Sequence, residues 1–420
     1  MSNIDQLIES YSEGESLPRE FYTNTNIFSD EISSIYFNQW LTVDHISRIP
    51  NPGDYFLFDI EKESIIIIRG RDNIVRAFYN VCTHRGSRVC LESEGTKKLL
   101  VCPYHAWSFD AEGNLRAARF MPDDFNPKEW GLRKCHLAIQ NGLIFLNLTS
   151  DVPDSFEEFI APLVPYLNLH EPENSKIAFR KKYPTSANWK TTLENFQECY
   201  HCAPSHQSYS AVHEKEFVKI YGAGKGSGPD DETAAYEKKI KPWTEDLEKR
   251  GIINQCYLES NTETESGFNR YADRVPIGNG KESETEDGKF ASTLMGKFKK
   301  LGPDGGVTQI SFNPFANTYF NNDFGVLFIF KPIDTFNTEV ELIWLVDKNA
   351  NEDQYDIDKM IWMWDVTTLE DTQIIEDNYK GILSKSYKPG KLSEIERAVS
   401  YFYNWYFKSI KKNLNGSNIS

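Results

Sequence analysis

Short apolar runs with alternating polar positions fill the first third of the chain. Residues 55–60, 64–68 and 74–79 are such runs, separated by charged or Asp-Asn turns, and they predict consecutive antiparallel strands. Asn141-Gly142 is a hairpin signal, and the run at 143–148 after it predicts one more strand. Residues from about 40 to 150 therefore form a small β domain, inserted near the N-terminus. Farther on, 177–183, 324–330 and 340–346 read as longer strands, and 352–383 and 392–411 carry helical periodicity. The fold class is α+β. Between 221 and 306 Gly, Ser, Thr, Glu and Lys replace the apolar pattern, which predicts loop and lid. No internal repeat is present.

Composition narrows the function classes. A chain of 420 residues exceeds the usual single domain, and 40% hydrophobic with 14% aromatic residues suffices for packed cores. The formal charge of -16 and pI near 5.1 oppose binding to nucleic acid or to anionic membrane. Residues 1–30 lack the basic start and apolar run of a signal peptide, and the longest aliphatic run, 65–68, is far short of the ~20 residues that span a bilayer. Seven scattered cysteines, an odd number, suit a reducing cytoplasm better than a disulfide framework. The spaced glycines at 222, 224, 226 and 228 fit neither G-x-G-x-x-G nor a P-loop. Without a nucleotide site, electrons from NAD(P)H must arrive through a separate protein.

Cys82-Thr83-His84 and Cys102-Pro103-Tyr104-His105 offer two mixed Cys/His pairs, with seventeen residues between them. Zinc fingers pair Cys with Cys and His with His, so this pattern departs from a structural zinc site. In one class of 2Fe-2S centre two imidazoles replace two thiolates on one iron. Two loops, each giving one thiolate to the inner iron and one imidazole to the outer, would clamp such a cluster. Arg85-Gly86 and Pro103 suit the turns.

A second constellation follows Asn188-Trp189-Lys190: Glu194-Asn195-Phe196-Gln197-Glu198-Cys199-Tyr200-His201, then Cys202 to His206. His201 and His206 are five apart, about 140 degrees off on an ideal helix, so both reach one metal only if the helix ends between them. Pro204 provides that break. Glu198, three residues before His201 on one helical face, is a partner for its imidazole. A facial 2-His-1-carboxylate iron site needs a third, acidic ligand. Asp371 is a candidate, sharing a helical face with Trp364, but Glu370, Glu376 and Asp377 fit the pattern almost equally well. Cys199-x-x-Cys202 reads more simply as two small buried side chains than as a redox dithiol.

The combination C-x-H…C-x-x-H, N-W-K, E-N and E-x-x-H-x4-H resembles the α subunits of Rieske non-haem iron oxygenases over nearly the whole chain. Leu17 to Tyr22, Cys102 to His105, Glu198 to Ala203 and Ser386 to Gly390 are most similar to the glycine betaine, stachydrine and choline monooxygenase branch. The resemblance implies a small antiparallel β Rieske domain (40–150) inserted in a larger helix-grip-like catalytic domain, an antiparallel sheet covered by helices. Residues 1–39 would be the N-terminal helical part of that domain and 151–420 the rest, with 222–306 as lid or insertion. It implies that Cys82, His84, Cys102 and His105 bind the 2Fe-2S cluster and that His201, His206 and Asp371 bind Fe(II). It further implies a homotrimer fed by a flavin/iron-sulfur reductase, with Glu198 bridging His105 of one subunit to His201 of the next. Activity would be hydroxylation of an N-methyl quaternary ammonium compound, whose hemiaminal collapses to formaldehyde and the demethylated amine. Aromatic faces hold such cations best, and Trp364, with Phe196, Tyr319 and Trp344 behind it, is the candidate cage. Two alternatives stand beside this reading: an arene dioxygenase, and an electron carrier using the cluster alone, which the length of the chain opposes.

Overall fold

The computed structural model describes residues 3–213, 230–259 and 269–416. The chain divides into two compact units, Met1–Gln39 with Glu157–Ser420, and Trp40–Phe156. The smaller unit thus interrupts the larger one, and its end lies six residues beyond the expected 150.

The smaller unit is built from short antiparallel strands. Val75–Tyr79, Glu63–Arg69, Asp54–Ile60 and Glu94–Thr96 form a four-stranded sheet in that order. Leu41–His45, Leu143–Asn147 and His136–Gln140 form a second sheet, and three very short strands between Leu100 and Ala117 form a third. Ile65 to Ile68 are all fully buried, which explains the unbroken apolar run where a one-sided strand would alternate. Asn141 and Gly142 both adopt positive φ (46° and 78°) and join paired residues Gln140 and Leu143, as the dipeptide predicts.

The larger unit carries a seven-stranded antiparallel sheet. Its order is Ser175–Thr185, Asn337–Asp347, Phe324–Asp334, Ala316–Phe320, Gly306–Asn313, Arg270–Pro276 and Tyr257–Glu259. A 26-residue helix, Ile357–Ile382, begins at Asp356, whose side chain accepts from the Lys359 N–H, and buries Met360, Met363, Trp364, Thr367, Thr368, Asp371 and Ile375. It is tied to the first strand of the sheet where Lys181 Nζ and Tyr183 Oη both donate to Asp365. Among the described residues no helix is long and apolar enough to cross a membrane.

The Asn188-Trp189-Lys190 signature acts as an anchor. Asn188 caps the helix Trp189–Gln197 and donates from Nδ2 to the Thr335 carbonyl, 2.9 Å. The Trp189 indole N–H (2.8 Å), Lys190 Nζ (2.7 Å) and the Tyr406 hydroxyl (2.5 Å) all donate to the buried Glu31 carboxylate. Helix Thr25–Ser34, which carries Glu31, is thereby fixed to the rest of the larger unit although more than 120 residues intervene in sequence. Breaking a buried pair of this kind leaves an uncompensated charge and costs about 3–5 kcal/mol.

The expectation of loop over 222–306 needs correction. Residues 222–229 and 260–268 lie outside the described residues, but the rest contains helix Asp230–Lys249, strands Tyr257–Glu259 and Arg270–Pro276, and helix Phe298–Leu301. Strand Arg270–Pro276 escaped the apolar pattern because its charges are buried in pairs. Arg270 bonds to Glu259, and Arg274 donates from Nε to Asp304, 2.9 Å, with neither Arg274 nor Asp304 side chain exposed.

Candidate metal centres

The two Cys/His loops adopt the same turn. Cys82 N–H donates to the Ser87 carbonyl and Gly86 N–H to the Cys82 carbonyl; Cys102 N–H likewise donates to Trp107 and Ala106 N–H to Cys102. Each turn needs a left-handed residue four places after its cysteine, and Gly86 (φ 79°) and Ala106 (φ 59°) fill those places. Both cysteines are buried and both histidines lie farther out, His84 half-buried and His105 exposed. The imidazole rings stand 4.7 Å apart. Burial pushes the Cys82 thiol up to about 11, against the pull of backbone N–H groups from His84 and Arg85, and the nearby Cys102 thiol raises it further. Two thiols below and two imidazoles above, with N–H groups aimed at sulfur, fit a cluster with unlike ends. Trp107 stacks flat on His84 at 4.7 Å and Tyr104 lies 3.8 Å from His105, contacts that no spacing rule flags.

In the larger unit, helix Trp189–Gln197 stops at Glu198, which is extended (φ -138°, ψ 162°). This corrects the expectation that Glu198 and His201 share a helical face. The carboxylate still meets the imidazole, Oε1 to Nδ1 at 2.6 Å, because the chain turns back, and its other oxygen accepts from Tyr200 N–H. A short helix, Cys202–Ser205, ends immediately after Pro204, and His206 leaves it with non-helical φ -117° and ψ 85°. The required break between the two histidines is present. Cys199 and Cys202 are joined as a disulfide, which corrects the preference for two small buried side chains over a dithiol pair. The bend between residues 198 and 202 brings together side chains that a continuous helix would hold apart.

Asp371, on the long helix, faces both histidines. Its Oδ1 lies 3.3 Å from His201 Nε2 and 3.0 Å from His206 Nε2. Metal–donor bonds of about 2.1 Å at right angles would separate donor atoms by about 3.0 Å, so Asp371 stands from each imidazole at about the separation of two ligands on one octahedral ion. The other acids in that segment do different things. Glu370 accepts from His206 Nδ1 at 2.9 Å, Glu376 caps the Ser186 N–H, and Asp377 bonds to Gln373 and Lys380. Each histidine thus has one nitrogen toward Asp371 and the other on a carboxylate, the arrangement that fixes ring tautomer beside a metal. Burial opposes charge on His201, but hydrogen bonds that its ring donates to Asp371 and Glu198 outweigh it and raise its pKa to about 9. Asp371 stays below its ordinary range despite burial, held there by both histidines.

Beside the triad lies a pocket lined by Phe196, Tyr209, Tyr319, Trp364, Asn195, Gln309 and Thr367. Trp364 and Asp371 are seven residues apart on one helix face, so both reach it. Its ring centroid is 4.4 Å from Tyr319, 5.1 Å from Phe328 and 5.9 Å from Tyr209. Among the described lining residues there is no Lys or Arg, while Glu198 and Asp371 are acidic. Asn195 Oδ1, Gln309 Oε1 and Thr367 Oγ1 are buried and unbonded, polar atoms free for a ligand. Trp344 does not join the cage. It sits in the sheet core against Phe179 at 5.6 Å, on a strand separated from Tyr319's strand by Phe324–Asp334. Tyr209 and Gln309 were not found from sequence: Tyr209 lies on the separate short helix Gln207–Val212 beyond His206, and Gln309 on strand Gly306–Asn313, whose approach to the triad only the fold determines.

Comparison with known proteins places these sites in context. Residues 39–130 match the Rieske [2Fe-2S] domain, and residues 173–412 match the catalytic domain of the ring-hydroxylating α subunit. The chain is 32% identical to the glycine betaine monooxygenase oxygenase subunit of Pseudomonas aeruginosa, covering 97% of this chain and 92% of that one. It is 38% identical to the carnitine monooxygenase oxygenase subunit of Escherichia coli over 47% of this chain and 54% of that one. The fold is similar to that of a solved quaternary ammonium Rieske monooxygenase, with a TM-score of 0.69 at 21% identity, covering 96% and 97% of the two chains.

Proposed function

The chain belongs to the Rieske-type ring-hydroxylating oxygenase α-subunit family and is a terminal oxygenase, and we propose that it hydroxylates an N-methyl group of a quaternary ammonium compound such as glycine betaine. The supporting observation is the character of the pocket beside Asp371. It combines aromatic faces and acceptor oxygens with carboxylates, and no described lining residue is Lys or Arg. A permanent cation on such faces gains about 2 kcal/mol or more when desolvated. The near full-length similarity to a glycine betaine monooxygenase subunit points the same way.

In this reading Cys82, His84, Cys102 and His105 hold the cluster, and His201, His206 and Asp371 hold the iron. Bound there, the cluster supplies electrons one at a time and the iron activates O2. The protein's own residues do the rest. Glu198 and Glu370 fix the imidazoles with Nε2 toward the metal. Trp364, Tyr319, Tyr209 and Phe196 hold the ammonium head with one methyl toward the triad and keep water out. Hydroxylation of that methyl gives a hemiaminal that releases formaldehyde. Glu198 also suits a bridge to His105 of a neighbouring subunit in a homotrimer, and a separate reductase would supply electrons in the cytoplasm. The test is direct: reduced enzyme with O2 and glycine betaine, carnitine, stachydrine or choline should release formaldehyde. An arene converted to a cis-diol, with no formaldehyde from any ammonium compound, overturns the proposal.

A further inference from the structure

Behind the aromatic wall lies a carboxylate that the iron site does not use. Glu284 is 1% exposed and sits in the connection between strand Arg270–Pro276 and helix Phe298–Leu301. Its Oε2 accepts from the Trp364 indole N–H at 3.2 Å and from Asn321 Nδ2 at 3.0 Å. Its Oε1 lies 3.2 Å from His213 Nε2, and its own N–H donates to Asn321 Oδ1 at 3.1 Å. The segment is pinned on both sides of Glu284. Asp323 accepts from the Ser283 hydroxyl at 2.7 Å and from the N–H groups of Ala291 and Ser292. Among the described residues no Lys or Arg pairs with Glu284.

From this geometry we infer that Glu284 is a specificity-determining residue that selects a cationic ligand, acting through Trp364 and through the negative potential it places across the pocket. The inference rests on the ammonium reading above and deepens it. Two effects act together. A charge-assisted hydrogen bond from the indole N–H pushes electron density toward the ring face, the side a cation meets. A carboxylate in a low-dielectric interior also acts over several ångströms with little screening. The pocket registers that field: after burial itself, Glu284 is the first cause raising the Tyr319 hydroxyl above its ordinary range, and it also raises Tyr209. An uncharged substrate gains nothing from either effect, so the site discriminates by charge as well as by shape.

The experiment compares ligands that differ in charge alone. Choline and glycine betaine are each paired with the carbon isostere in which a quaternary carbon replaces the nitrogen. Dissociation constants are measured by calorimetry on the reduced, iron-loaded holoenzyme without O2, with the cluster spectrum verifying folded protein. Glu284→Gln keeps the size and an acceptor for Trp364 but removes the charge. It should weaken ammonium binding roughly tenfold and change isostere binding less than about twofold. Glu284→Asp keeps the charge and should retain most of the preference. Equal losses on both members of a pair, or no loss on either, overturn the inference while leaving the ammonium reading intact. A wild-type enzyme that binds ammonium and isostere alike removes both.

Discussion

The two candidate metal centres of this chain are built in opposite ways. The cluster site is local: its four side chains fall within 24 residues, on two copies of one turn closed by backbone hydrogen bonds. The iron site is long-range: Asp371 meets His206 across 165 positions, and side-chain carboxylates fix the ring orientations. A local site depends on backbone conformation at a few residues, whereas a long-range site depends on how a helix packs. Substitutions should therefore damage the two in different currencies.

The largest difference is expected from ligand removal. Asp371→Ala or His201→Ala should bring turnover to background and abolish binding of the mononuclear iron while the visible spectrum of the cluster stays intact. Cys102→Ser should abolish the cluster spectrum and leave iron uptake at His201 and His206. If Asp371→Ala still binds ferrous ion with unchanged affinity, Asp371 is not a ligand. Glu370→Gln tests the tier below. It keeps a hydrogen bond to His206 but loses the charge, and removing such partners typically costs about 10–100-fold in metal affinity or activity. A change under threefold would show that Glu370 is incidental.

Proton linkage sharpens the contrast further. In iron-free protein His201 has its folded pKa raised to about 9 from 6.5, through Asp371 and Glu198 acting against burial. Its contribution to stability is then complete below about pH 6.5 and lost as pH rises through about 9. Urea unfolding of iron-free enzyme should show stability falling over that window, and iron binding at pH 7.5 should release a proton to a weakly buffered indicator. Proton-neutral iron uptake would contradict this. The smallest effects belong to the cluster loops. Gly86→Ala meets no neighbour within 4 Å, so its cost is backbone strain alone, about 1–2 kcal/mol. Ala106→Gly relieves the same strain but loosens the unfolded chain, for a net gain under about 1 kcal/mol. Thermal melts should move in opposite directions for the two variants.

Sequence alone singled out Cys82, His84, Cys102 and His105 as candidate cluster ligands because a C-x-H and a C-x-x-H each fit inside one turn. It singled out His201 and His206 as candidate iron ligands and the need for a helix end between them, because helical geometry forbids a shared metal at five residues. The strands of the small unit were legible through alternation and the Asn141-Gly142 turn. The fold decided the rest. Asp371, Glu370, Glu376 and Asp377 look alike on a helical pattern, and only the packing of Ile357–Ile382 turned Asp371 toward two imidazoles, Glu370 toward the back of one, and the other two elsewhere. Trp344 and Tyr319 are both buried aromatics on strands, and only sheet order placed one in the core and the other at the pocket. Strand Arg270–Pro276 and the Glu284 segment were hidden for a related reason. Their charges are buried against partners far away in sequence, and a hydropathy pattern records the charge but not the partner. Local geometry is written in neighbouring residues, whereas pairing across the fold exists only once the chain has closed on itself.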